Sequence, residues 1–413
     1  MGVGGFGFAA HRRAGYPPSV SVSTGTAAPE VRAARNAVLA TFFLNGFAFA
    51  SWASRIPSVR HGLDLGPAQL GLFLLAASIG SLLSLPTAGA TVQRFGARRV
   101  VVAATLVEAA GLLLVAFGAG VLAAVPVAAA GLFLVGLGTG TWDVSMNVEG
   151  AEVERRLERS IMPRFHAAFS LGTVAGAGVG AAVTFLDVGV QWHLGAVGVV
   201  VALLGAVSVR GFLAVHPAQQ SSSTGQALRS WLEVRILLIG VMVLALALTE
   251  GVANDWLAVA MVDGYGAQPW LGAAAFALFV TAMTVGRVTG TVLLDAFGRA
   301  AVLWGTMAVA AVGVVLVVLG GWPPLVAVGI VLWGAGASLG FPVGMSAAAD
   351  DPTRSAARVS VVSTLGYTAF LGGPPLLGFL GSHFGVLHAL LVVSVILLPS
   401  AFAVPAARRQ EPA

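Results

Sequence analysis

Four acids stand inside long apolar runs of this 413-residue sequence: Glu108, Asp143, Glu250 and Asp255. Asp143 belongs to WDVSMN, with Trp142 before it and Asn147 four residues on, one turn along a helix face. Glu250 opens EGVANDW, which also carries Asn254, Asp255 and Trp256. A carboxyl withdrawn from water can bind and release a proton, and amide, hydroxyl and indole groups beside it can orient a polar solute. Asn45, His166 and Ser170 of HAAFSLG, and Phe341 of SLGFPVG complete the candidate substrate- or proton-binding set. Enzyme chemistry is not expected. Cysteine is absent, there is no metal-spaced histidine cluster, and there is no G-x-x-x-x-G-K-[ST] phosphate loop. GAGVG at 176–180 lies inside an apolar run where small residues serve packing, not a dinucleotide. No catalytic residue, metal or cofactor is therefore assigned.

The elements that must position these groups are membrane helices. Hydrophobic residues make up 57% of the chain and charged ones 9%, with a mean hydropathy of +0.91, against about 25% charged in soluble domains. A crossing of ~30 Å needs about 20 apolar residues, and twelve such runs are present, near 36–56, 68–91, 98–119, 124–148, 163–186, 192–210, 235–259, 268–291, 299–320, 323–348, 358–381 and 384–405. The expected class is an all-α membrane protein. The formal charge of +5 does not indicate nucleic acid, because the arginines sit in short clusters between the runs.

Those clusters orient the chain. With a cytoplasmic N-terminus, nineteen of the 22 basic residues fall in inside segments, only Arg55 and Arg60 fall outside, and Arg287 lies within a span. Both termini are thus expected in the cytoplasm. Residues 1–33 read as a disordered extension or an overcalled start, without the apolar core of a cleaved signal. Residues 34–213 and 234–406 form the two expected six-helix bundles, joined by a polar cytoplasmic linker at 214–233, with a tail at 407–413.

A repeat links the halves. ATVQRFGARRV at 90–100 and VLLDAFGRAAV at 292–302 follow the second and eighth spans. Both carry Phe-Gly before arginine, and parallel repeats of this kind build transporter folds. The chain resembles the major facilitator superfamily over residues 34–406, with loops similar to its G-x-L-a-D-r-x-G-r-k signature at Gly96, Arg98 and Arg99 and at Asp295, Gly298 and Arg299. The acidic position is Gln93 in the first half, which departs from the pattern. WDVSMN, HAAFSLG, EGVANDW and SLGFPVG together resemble the fucose permease branch, and GYTAFLGGPPLLG at 366–378 is similar to its bacterial relatives. The resemblance implies a multi-pass transporter of the cytoplasmic membrane, moving a small, sugar-like solute by alternating access with proton coupling. Drug or metabolite export is the alternative within the class, and a non-transporting receptor or scaffold the alternative outside it. The implied partners are lipid, a small solute and protons.

Each site residue also has a plainer role. Asp143, about 28 Å along the fourth span at ~1.5 Å per residue, reads either as a helix-end acid or as the central-cavity acid that the resemblance implies; the cavity is preferred. Glu250 reads as a proton site or half of an ion pair, and Trp256 as a stacking ring or an interface anchor. Glu108 is expected in a buried pair or a backbone hydrogen bond, His166 to begin the fifth helix, and Arg287 to snorkel or pair with Asp295. EGAEVERRLER, with Glu152 and Glu158, reads as a solvated helix.

Overall fold

A computed structural model describes residues 29–159, 161–213, 229–351 and 354–408. Every regular element among them is helical. The spans before the linker comprise α1 (Pro29–Ala53), a short α2 (Ile56–Gly62), α3 (Pro67–Phe95), α4 (Ala97–Gly120), α5 (Val125–Leu157), α6 (Met162–Phe185) and α7 (Val190–Ser208). After it come α8 (Val234–Val252), a π-helical segment Ala253–Leu257, α9 (Ala258–Tyr265), α10 (Pro269–Leu319), α11 (Pro323–Ala337), α12 (Gly340–Ala348), α13 (Ser355–Phe384), α14 (Val386–Ala389) and α15 (Val392–Ser400). Proline opens α3, α6, α10 and α11 within the first two positions, where its missing N–H breaks no helical bond.

Ten helices among the described residues are long and apolar enough to cross a membrane. One is the 51-residue α10, which Gly298 divides into two crossings at φ 75°, ψ 165°. That backbone region is open essentially to glycine alone. Gly96 makes the matching break between α3 and α4 at φ 80°, ψ 148°, so the repeated Phe-Gly is a repeated turn. Phe384-Gly385 repeats it again before α14, at φ 80°, ψ 146°, an instance the sequence reading passed over. The helix α13 is made less apolar by Gly372, Gly373, Pro374 and Pro375 and completes twelve crossings with the others.

Three boundaries differ from expectation. Residues 29–33 are helical, part of α1, while the rest of the expected 1–33 extension, the linker over 214–228 and the tail beyond 408 lie outside the described residues. The helix α5 runs to Leu157, nine residues past the expected end of the fourth span. The seventh span continues through the π segment to Tyr265, because VAMVDGY keeps an apolar helical pattern that the acid at 263 only interrupts.

Alternate crossings place the arginine-rich chain segments at one face of the bundle. The ties between the two sets of six spans lie at the opposite face and at mid-depth. There Arg60 of α2 forms an ion pair with Asp263 of α9, and Phe185 meets Trp270 edge to face at 5.4 Å. Deeper, Pro374 has no N–H to give the Phe370 carbonyl four residues back, and Ser78 of α3 donates to that carbonyl at 2.7 Å. Gly71 lets α3 and α13 touch, since a Cβ there would lie 2.5 Å from the Pro374 carbonyl oxygen. At the arginine-rich face the ion pairs join helices of one half: Arg299 and Arg235 share Asp350, and Arg358 holds Glu233 at 2.7 Å.

Candidate functional site

One missing hydrogen bond organises the second half of the site. The tenth crossing breaks at Ser338–Leu339 between α11 and α12. The residue that would donate to the Ser338 carbonyl is Pro342, which has no N–H. Arg287 of α10 supplies the donor from Nε at 3.3 Å, and its Nη2 reaches both Glu250 carboxylate oxygens at 3.1 and 3.0 Å. One guanidinium nitrogen thus spans both carboxylate oxygens in a charge-assisted contact, which joins the two side chains between α8, α10 and α11. Arg287 therefore does not pair with Asp295, as expected from the loop, but with the acid in EGVANDW. Asp295 itself is exposed.

Asp143 is placed differently. It lies 18 residues from the start of α5 and 14 from its end. Asn147 donates Nδ2 to the Asp143 carbonyl at 2.8 Å and reaches its carboxylate at 3.3 Å. Among the described residues no cation pairs with Asp143. Tyr367 of α13 lies across the boundary between the halves, within electrostatic reach of Asp143, and packs 6.3 Å from Phe341. His166 is exposed at the start of α6, edge-on to Phe42 at 5.2 Å, and within electrostatic reach of Arg287. Asp143, Asn147, His166, Glu250, Arg287, Phe341 and Tyr367 thus converge from both halves. Tyr367 was not singled out in the sequence, although it is one of only three tyrosines and sits in the stretch GYTAFLGGPPLLG.

The other candidates are enclosed. Asn45 and Ser170 are 1% and 3% exposed between α1 and α6. Asn254 and Trp256 are buried in the π segment, eight or more residues from the helix end at Tyr265, so Trp256 is neither an interface anchor nor an open stacking face. Asp255, on the same segment, is half-buried. Insertions of this π kind interrupt the helical bond ladder and recur at functional sites. Glu108 is fully buried beside Thr139, against Gly138, with neither the buried ion pair nor the backbone hydrogen bond expected for it.

At the arginine-rich face, Arg98 and Arg99 are exposed, while Arg299 bonds Asp350 at 2.7 Å and Ser346 at 2.9 Å. The second-half loop is thus tied to the end of α12, an acid that sequence spacing did not indicate. EGAEVERRLER is only partly solvated. Glu152 binds Arg155 and Arg156, but Glu154 accepts the backbone N–H groups of Ile161 and Met162 at 2.6 and 2.7 Å, and Glu149 accepts that of Leu213 at 2.5 Å.

Twelve apolar crossings in two halves, with charged and aromatic groups gathered between them and no metal-binding cluster among the described residues, define a polytopic membrane carrier. The profile of the Major Facilitator Superfamily matches residues 38–293. An uncharacterized MFS-type transporter of Yersinia pestis is 30% identical over 369 residues, covering 89% of this chain and 94% of that one. The membrane protein MosC of Rhizobium meliloti is 27% identical over 87% of this chain and 86% of its own. In fold, the nucleoside transporter NupG matches with a TM-score of 0.73 at 14% identity, covering 92% and 100% of the two chains. An inward-facing bacterial homolog of the human lysosomal transporter Spinster matches at 0.72 and 15%, covering 94% and 100%. The chain belongs to the major facilitator superfamily, and it is a multi-pass membrane transporter, not an enzyme.

Proposed function

We propose that the protein moves a small polar, sugar-like solute across the cytoplasmic membrane, coupled to protons, by alternating access around the Asp143–Tyr367 boundary. The arginine-rich face is the cytoplasmic one on this reading, and the described state is closed toward the outside by the Arg60–Asp263, Phe185–Trp270 and Ser78–Phe370 contacts.

The carrying observation is that the two central carboxylates have different partners. Glu250 is matched by Arg287, whereas Asp143 has the Asn147 amide on its own helix, Tyr367 of the other half within electrostatic reach and, among the described residues, no paired cation. An ionised carboxylate sealed away from water costs at least ~2.5–3.5 kcal/mol. Closing the halves over a charged Asp143 incurs that cost, and protonation removes it. Reorientation with solute bound then favours the protonated carrier, and symport further requires that the emptied carrier return after releasing its proton on the inside. Asn147, His166 and the Glu250–Arg287 pair supply donors and acceptors for hydroxyl groups, and Tyr367 with Phe341 supplies ring faces for the solute.

The test is a thermal-shift screen of sugars, polyols and nucleosides on purified protein, since a ligand stabilises by RT ln(1 + [L]/Kd). A stabilising solute is then loaded into proteoliposomes bearing a pH gradient. Gradient-dependent accumulation supports the reading. Accumulation indifferent to a protonophore contradicts it.

A further inference from the structure

At the face opposite the arginine-rich one, a second cavity of about 550 Å³ opens between the two halves, separate from the central residues. Its walls come from Arg55, the helix α2, the ends of α4 and α6 and the start of α7 on one side, and from Gln268, Pro269 and Trp270 at the start of α10 on the other. Its volume is within the ~300–1,000 Å³ of small-molecule sites.

Three features give this cavity a positive character. The first is Arg55, 3% exposed, whose Nη1 donates to Thr184 Oγ1 at 2.5 Å and whose Nη2 donates to the Val188 carbonyl at 2.8 Å. Both acceptors are neutral, and its buried Nε has no partner. Among the described residues no carboxylate pairs with this guanidinium. The nearby ring of His193, 4% exposed with both nitrogens unpartnered, brings no counter-charge either. A buried cation without an anion is costly.

The second and third are helix ends. Gly189 and Val190 begin the 19-residue α7, and Gln268 to Trp270 begin α10; neither helix has a side-chain cap. The N-terminal ends of α7 and α10, which carry the positive end of the helix dipole, thus line the cavity from both halves, beside the carbonyl ends of α4 and α6. Phe185 and Trp270, edge to face at 5.4 Å, add an apolar wall. Asp187, the wall carboxylate, is exposed to solvent, where its charge is screened.

We infer that this cavity is a binding site for a small organic carboxylate, whose oxygens complete the Arg55 guanidinium and the helix N-termini while its apolar body lies against Phe185 and Trp270. The site goes beyond solute transport. Because both halves build it, an occupied cavity holds the outer face closed, so the same anion acts as an inhibitor of outward opening from the external side.

The experiment titrates sodium benzoate, and sodium acetate as the shorter carboxylate, into the full-length purified protein by calorimetry at constant ionic strength. Saturable benzoate binding is expected, with acetate weaker. Arg55→Gln should weaken benzoate at least tenfold, and Arg55→Lys, which keeps the charge and guards against misfolding, by less. Trp270→Ala, on the other half, should weaken benzoate more than acetate. Absence of saturable binding for both anions overturns the inference. So does binding unchanged by Arg55→Gln and Trp270→Ala in folded protein, or binding abolished by Asp143→Asn while Trp270→Ala retains it, which would put the anion in the central cavity.

Discussion

Replacing Glu250 by Gln removes one charge of the pair and leaves Arg287 holding a positive charge between α8, α10 and α11. The side chains of Arg287 and Glu250 are 29% and 19% exposed. Removing one partner of a fully buried pair costs about 3–5 kcal/mol, and partial solvation of this pair reduces that to about 2–3 kcal/mol. Arg287→Met costs more, because it also orphans the Ser338 carbonyl that Pro342 cannot satisfy, adding about 1–3 kcal/mol for an unmade buried bond. The double variant should cost about as much as Arg287→Met alone, a coupling of about 2 kcal/mol between the two positions. At roughly 2–4 °C per kcal/mol for a unit the size of one half, Glu250→Gln lowers the melting temperature by about 4–12 °C. Differential scanning fluorimetry of the four proteins in detergent measures the cycle. Additive effects, or a Glu250→Gln protein that melts within about 1 °C of the parent, would refute the view that this acid is held as half of an ion pair.

Three other outcomes follow from the geometry. Gly136 packs where a Cβ would overlap the Ala77 carbonyl, so Gly136→Val should abolish the folded monomer on size-exclusion chromatography, while Gly89→Ala, with nothing within 4 Å, should be neutral or gain up to ~1 kcal/mol. Neutralising the outer ion pair by Arg60→Ala or Asp263→Ala should shift the carrier toward the outward-open state. The chain has no native cysteine, so labelling of a single Ser78→Cys from outside reads this directly, with a severalfold faster rate expected and an unchanged rate counting against the gate. Reporter tags at both termini and within 214–228 should be accessible only from the cytoplasm; external access to the central segment would invert the assigned faces.

The fold was legible because a bilayer leaves little choice: twelve apolar runs, arginines sorted to alternate loops and a duplicated Phe-Gly turn specify two halves of six helices. The site was half legible. Composition marked Asp143, Glu250 and Arg287 as costly and therefore meaningful, but their partners depend on helix rotation and on backbone breaks. The Glu250–Arg287 contact forms because Pro342 frees a carbonyl on a third helix, and no spacing within EGVANDW encodes that. The extra turns of α5 and the seventh span moved Asp143 and Trp256 away from helix ends, since charged residues beyond a span can continue the helix as readily as stop it. Tyr367 and Asp350 were overlooked for the same reason: each acquires its role from a residue more than fifty positions away.

The proton-coupling role proposed for Asp143 is tested most directly by Asp143→Asn in proteoliposomes, comparing solute exchange with uphill accumulation under an imposed pH gradient. Asparagine keeps the shape of the protonated acid and its capacity to bond Asn147, but it cannot release a proton. Exchange requires only that the loaded carrier reorient, so it should proceed within a fewfold of the parent rate, while gradient-driven accumulation falls to equilibration. An Asp143→Asn carrier that still concentrates solute as well as the parent would contradict the account.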